Sequence, residues 1–303
     1  MRITKSGIYH DVSEVDYHAD PCPTPSLSSS IASILLRKSP MHAAAAHPKL
    51  LGHAEREESE ALDLGTVAHA YLLSGMDKVY VIDAVHPKTG EVVTDYRTAA
   101  AQEQRDAARA IGNVPILAHK MEEVERMARA IRAQLDRFEE KPTPLRDGTP
   151  EVVMCWQEDT PSGSLWCRAR VDWFNEQHCL LEDLKTTATS ARHDDFIKHI
   201  YSRGMDVQAA FYMRAIKALI NCVPRWRWVV CENSAPFAVS VLSLGPAALA
   251  HADDKCQQAI NTFAKCLKEG RWPGYPTRTA WCDPPAWEVA QWLEQSEGEE
   301  DEA

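Results

Sequence analysis

Three times between residues 151 and 187 the hydrophobic pattern takes the short period of an extended chain. EVVMCWQ, LWCRARVDWFN and HCLLEDLKTT read as successive strands, separated by the turn-like segments DTPSGS and NEQ. A helix follows, centred on MDVQAAFYMRAIKAL, and then two further strands, RWRWVVCEN and FAVSVLSL. AALAHADDKCQQAINTFAKCLKEG closes this run with helical periodicity. A meander, a helix and more strands predict an α/β domain with a central sheet flanked by helices.

Upstream, residues 1–26 are rich in Pro, His and Asp and read as an extended N-terminal arm. SLSSSIASILLRKSP looks like a helix whose serines offer N-caps, and Pro40 either ends that helix or starts the next piece. In ESEALDLGTVAHAYLLSG, residues Leu62, Val67, Tyr71 and Leu72 approximate a helical stripe that Gly75 stops. VYVIDA reads as a short strand, and Asp95 to about Phe138 as Ala-rich helix broken at Gly112-Asn113-Val114-Pro115. Neither an internal repeat nor a linker divides the chain. The expected organisation is one domain over 27–290 with an N-terminal helical elaboration, a core at about 150–245, and a disordered acidic end at 291–303.

Composition narrows the classes. The 303 residues are 45% hydrophobic, enough for a sizeable core, without an apolar run long enough to cross a bilayer. The first residues lack the apolar stretch of a signal peptide, so a cytoplasmic location is expected. Nine scattered cysteines without a CxxC pair read as reduced thiols acting as small hydrophobes. A net charge of −11 argues against non-specific coating of nucleic acid, but the tail EQSEGEEDEA supplies part of it. A local basic channel is all that a DNA enzyme needs.

The chemistry concentrates in RVDWFNEQHCLLEDLKTT. Alternation puts Asp183 and Lys185 on one face of a strand, with Leu184 opposite and Glu182 pointing away as a structural residue. A hairpin with the preceding strand would bring Asp172 close to Asp183. Two converging carboxylates repel unless a cation or proton compensates them, and hard oxygen ligands suit Mg²⁺ or Mn²⁺. Such an ion polarises a phosphoryl oxygen, while Lys185 can position water and stabilise charge on phosphorus. An isolated D-x-K more simply reads as an exposed ion pair; the apolar entry to the strand and the second aspartate favour a site.

The run resembles the PD-(D/E)XK nuclease superfamily, in particular its RecB-like branch and the RecE-like (exodeoxyribonuclease VIII) phage and prophage exonucleases. Four motifs occur in order: Gly65-Thr66-Val67-Ala68-His69, Asp172 in ARVDW, Asp183-Leu184-Lys185-Thr186-Thr187, and Gln208-Ala209-Ala210-Phe211-Tyr212. Tyr17-His18, Ser28 to Ser30 and Ser39-Pro40-Met41-His42 resemble an early run of the RecE-like domains. The resemblance implies a restriction-endonuclease-like core. It implies His69, Asp172, Asp183 and the Leu184 carbonyl as metal ligands, Lys185 as catalytic, and Gln208, Tyr212 and Thr186 near DNA.

It also implies 5′-to-3′ digestion of linear double-stranded DNA ends, leaving 3′ strands for an annealing protein during recombination. A ring-shaped homo-oligomer, a bacterial or phage-infected cytoplasm and no membrane partner go with that reading. Related nucleases that carry an iron–sulfur cluster use one early and three late cysteines. Cys22, Cys256, Cys266 and Cys282 are spaced too irregularly for this, and no iron–sulfur cluster is expected. The alternatives are a RecB- or Cas4-like nuclease acting on single-stranded ends, and a non-catalytic DNA-binding or assembly protein of the same fold.

Three further groups are weighed on the same footing. Glu151 opens the first strand and is either a surface glutamate or, by the resemblance, a site residue. Ser28, Ser30 and Arg37 are read together at a helix start, as caps and solvated groups or as a pocket for a 5′-phosphate. RWRWVV is expected to bury its tryptophans and expose its arginines, the alternative being base stacking.

Overall fold

The computed structural model describes residues 2–51 and 64–300. In chain order the elements are β1 (Gly7–Tyr9), α1 (Glu14–His18), β2 (Leu27–Ser28), α2 (Ser29–Arg37), α3 (Pro40–Ala46), α4 (Leu64–Ser74), β3 (Val79–Ile82) and α5 (Ala99–Ala110). There follow β4 (Val114–Leu117), α6 (Ala118–Leu135), β5 (Thr149–Thr160), β6 (Gly163–Asn175), β7 (Leu180–Thr187), α7 (His193–Ser202), α8 (Met205–Leu219), β8 (Arg225–Glu232), β9 (Val239–Leu242), α9 (Pro246–Glu269) and α10 (Ala286–Glu300).

The meander β5–β6–β7 is antiparallel throughout, as the short turns between its strands require. β8 lies parallel to β7, and α7 and α8 make the crossover that a parallel neighbour needs. The sheet runs β1-β5-β6-β7-β8-β9, with the short β2 parallel to β6. Apolar side chains cover both faces. Leu181, Trp226 and Trp228 pack under α2, α8 and α9, whereas Leu184, Val229 and Cys231 pack under α4 and α6. The expected α/β architecture, a central mixed sheet flanked by helices, is the one observed.

Several local expectations are corrected. The N-terminal stretch read as an extended arm supplies the edge strand β1, paired with β5, and helix α1. Ile3, Val12, Tyr17 and Cys22 pack on Val153 and Cys155, giving that stretch a core of its own. Asp20 is buried beside them and accepts from the Ser26 N–H and hydroxyl, with His47 and Arg168 3.4 Å away. Burial alone would raise its pKa, but the His47 hydrogen bond and the Arg168 charge outweigh it and lower it.

The break at Gly112–Pro115 runs into β4, which pairs in parallel with β3 as a separate two-stranded sheet. Four residues between two helices carry too little periodicity to announce a strand. The acidic end forms helix α10, which reaches Glu300 where disorder was expected. Leu62 and the start of its predicted helix lie outside the described residues; α4 carries the rest. Cys179 and Cys222 form a disulfide, so not all nine thiols are free. Of the other seven cysteines, all but Cys282 are buried.

Arg227 is buried, contrary to the expectation for RWRWVV, because both faces of β8 are covered. Trp226 and Trp228 are buried as expected, with ring centroids 5.6 Å apart. The chain divides into two compact units, Met1–Pro273 and Gly274–Ala303. The second contains α10 and bears exposed Trp281, Trp287 and Trp292.

Candidate active site

The strand pattern places Asp183 and Lys185 together. In β7, Leu181 belongs to the cluster under α8 and Leu184 to the one under α4, so Asp183 and Lys185 share the α8 side. The registers flanking the next position, Pro150↔Trp173, Val152↔Val171 and Trp173↔Glu182, set Glu151, Asp172 and Asp183 opposite one another on one rung. The pleat is interrupted there. Val171 and Phe174, three residues apart, enter the same cluster, and Glu151 has a left-handed φ of 59°. Asp172 is thereby turned towards the gap between the two helical layers.

Each layer contributes to the rung. From α4, His69 Nε2 lies 3.1 Å from Asp172 Oδ2, which also accepts from the Leu184 N–H at 2.9 Å. From α8, Gln208 Nε2 donates to Asp183 Oδ1 at 2.8 Å. Lys185 Nζ is ion-paired with Asp183 Oδ2, an oxygen that is buried and receives no well-formed hydrogen bond. Tyr212, one turn after Gln208, is buried against Trp226. Gly204 sets the start of α8: its φ is 71°, and a Cβ there would collide with Ser33 Oγ.

Electrostatics divides the two aspartates. Burial dominates at Asp183 and pushes it up to about 6; Lys185 opposes this and Asp172 adds to it. Burial also acts on Asp172, but the His69 hydrogen bond, Lys185 and the Leu184 N–H hold it below its ordinary value. At His69 burial works against the charge, and the Asp172 carboxylate outweighs it and raises the pKa. The Lys185 ammonium is likewise held up against burial by Asp183 and Asp172. Burial moves the Tyr212 phenol to about 12, with the Asp183 charge assisting.

The donor chemistry suits a hard divalent cation: two unequal carboxylates, an imidazole and a buried oxygen short of donors. His69, Asp172 and Asp183 are the residues that would hold it, together with the carbonyl of Leu184. Among the described residues no three His, Cys, Asp or Glu side chains are already drawn together as a ligand cage. Hydrogen bonds and ion pairs hold the acidic oxygens instead.

A cavity of about 490 Å³ opens over the rung, with His69, Glu151, Asp172, Gln208, Tyr212 and Ser30 among its walls. Asp183 lies beneath Gln208 and is 1% exposed. Ser28 caps α2 and touches Ser30 at 3.0 Å. Arg37 ends the same helix, exposed in its last turn, so the expectation that it joins the serines at a helix start is corrected. Thr186 falls on the Leu184 side of β7 and is not brought to the cavity. Glu182 is buried on that side with Arg227, as its structural assignment required. Tyr17 and His18 of the early run line the cavity too, as do Arg170, Arg203, Lys78 and Glu14, four residues without a motif in the sequence. Only the R-x-D spacing, which gives Arg170 the parity of Asp172, signalled one of them.

Comparison with known proteins agrees with this architecture. The chain resembles a crystal structure of a "putative exonuclease" from Eubacterium rectale, with a TM-score of 0.55 and 13% identity, over 96% of this chain and 98% of that one. At that identity the likeness speaks for the fold alone. No functionally curated protein matches the sequence. Among the described residues, no helix is long and apolar enough to cross a membrane. Residues 28–285 match the model of the PDDEXK-like domain of unknown function, DUF3799, and the chain is a member of that family.

Proposed function

We propose that the protein is a Mg²⁺- or Mn²⁺-dependent deoxyribonuclease that hydrolyses phosphodiester bonds at the ends of linear double-stranded DNA. The observation that carries this reading is the convergence of His69, Asp172, Asp183, Lys185 and Gln208 on one rung of the sheet. Residues from four separate elements meet there at hydrogen-bonding distance, which no solvated ion pair requires. A divalent ion bound by His69, Asp172 and Asp183 would supply Lewis acidity towards the scissile phosphate. Lys185 stands beside the ligand carboxylate, where its ammonium can hold a water and offset charge developing on phosphorus. Gln208 fixes the Asp183 oxygen, and Arg203 and Lys78 give the cavity walls positive charge for a DNA backbone.

Polarity from 5′ to 3′, delivery of 3′ strands to an annealing protein and a ring-shaped homo-oligomer belong to the same proposal. They rest on the ordered motif resemblance to RecE-like exonucleases. The test is incubation with linear and closed circular duplex DNA, 5′-phosphorylated or not, in Mg²⁺ or EDTA, beside Lys185→Ala. Cleavage of linear substrate that needs the metal and is lost in the variant is the expected result. Cutting in EDTA, or full activity of the variant, overturns the reading.

A further inference from the structure

The wall of the cavity beside the rung holds a charge cluster that the reaction scheme above does not use. Arg170 lies on β6 two residues before Asp172. Its Nη2 is ion-paired with Glu151 Oε2, and its Nη1 lies 3.4 Å from Glu14 Oε2 on α1. Its Nε is buried without a hydrogen-bond partner, so the guanidinium is committed through its two terminal nitrogens. Glu14, Tyr17 and His18 from α1 line the cavity together with Glu151, Arg170 and Asp172. The N-terminal helix therefore borders the place where the scissile phosphate would lie.

Two features set this cluster apart from an ordinary surface ion pair. Glu151 is a non-glycine residue in the left-handed region, a conformation that persists where surroundings enforce it. It also stands opposite Asp172, so Glu151, Asp172 and Glu14 would repel one another across the wall without a cation between them. A planar fork bridges two carboxylates in a way that the point charge of a lysine does not.

We propose that Arg170 is a positioning residue, which holds the Glu151 carboxylate against the catalytic rung and, through Glu14, makes helix α1 a wall of the reaction cleft. The catalytic half of this statement rests on the nuclease reading; the tether of α1 does not. Residues 1–26 are then part of the working site, although they lie before the family match at residues 28–285.

Two measurements on the full chain test it. Hydrogen exchange reads the tether through the Tyr17 and Ala19 amides, which bond to Ser13 and Val15 carbonyls. Exchange about tenfold faster in Arg170→Ala and in the milder Glu14→Gln is expected, and unchanged exchange in both overturns the tether. Kinetics reads the positioning. In Mg²⁺ with linear duplex DNA, Arg170→Ala should lower kcat about tenfold with KM shifted less than about threefold, and Arg170→Lys should not restore it.

In a Glu151→Gln background the same substitution should change kcat less than about twofold; losses that multiply independently overturn the positioning role. Loss of cleavage in Lys185→Ala with full activity in Arg170→Ala sinks the inference and leaves the nuclease reading intact. A wild-type protein that does not cut DNA but shows the exchange response keeps the tether and removes the nuclease reading.

Discussion

Adjacent residues of β7 carry two buried acid–base pairs on opposite faces of the sheet, and they are built differently. Glu182 accepts from the Leu145 N–H at 2.9 Å and from Arg227 Nε and Nη2 at 3.1 and 2.7 Å. Arg227 also donates to the Pro142 carbonyl at 2.9 Å, so the pair anchors the loop before β5. Asp183 has Gln208 on one oxygen, and on the other only the ammonium of a lysine whose side chain is 31% exposed. One pair is saturated with donors; the other is short of donors and lies beneath Gln208, a wall of the cavity. Burial raises both carboxyls, and at Glu182 the Arg227 charge and the Leu145 N–H counter it. A buried charge fully met by its neighbours stabilises structure. One left partly unmet calls for a reason other than stability, and the proposed metal supplies it.

The comparison is broken most severely at Lys185. Lys185→Ala should lower cleavage by about 10²–10³-fold or more while the fold persists, measured as single-turnover rate beside a thermal melt. Glu182→Ala should do the reverse through stability, costing about 3–5 kcal/mol because Arg227 is left buried and unpaired. Replacing both as Glu182→Leu with Arg227→Met should recover most of that loss in urea denaturation.

Asp183→Asn should lower cleavage comparably to Lys185→Ala, yet raise the stability of the metal-free protein at pH 8. The folded pKa of Asp183, about 6, lies above the unfolded value of 3.8. The folded state therefore binds the extra proton between those values, and wild-type stability in EDTA should fall as pH rises from about 4 to 7. Urea midpoints across that range check it, and a slope equal in wild type and Asp183→Asn would refute it. Gln208→Ala should lower the rate about tenfold with DNA affinity nearly unchanged, since it acts on the Asp183 oxygen. Thr186→Val, on the closed face, should change the rate by less than about twofold.

What could be read from sequence follows from what periodicity encodes. Alternation in LLEDLKTT gave the faces of Asp183 and Lys185, and the four-residue step gave the shared face of Gln208 and Tyr212. Alternation also misled. In RWRWVV it placed Arg227 outside because a polar residue opposite a tryptophan reads as solvent-facing; a sheet covered on both sides has no such face. The meeting of His69 with Asp172 and the reach of Arg170 to Glu14 join segments more than a hundred residues apart, and Glu151 takes its left-handed φ inside a strand. No local pattern records them. Arg37 was misplaced because a helix start was visible in the serines but its length was not.

The parallel pairing of β7 with β8 has a consequence in time. A chain leaving the ribosome N-terminus first presents His69, Asp172, Asp183 and Lys185 well before Arg225–Glu232 exists to pair with β7. Until then that strand is a bare edge and Gln208 has no fixed sheet to reach across to. A message broken within the crossover would yield His69, Asp172, Asp183 and Lys185 without the strand that pairs with β7. On the proposed reading, the growing polypeptide gains a working site only once β8 has been made.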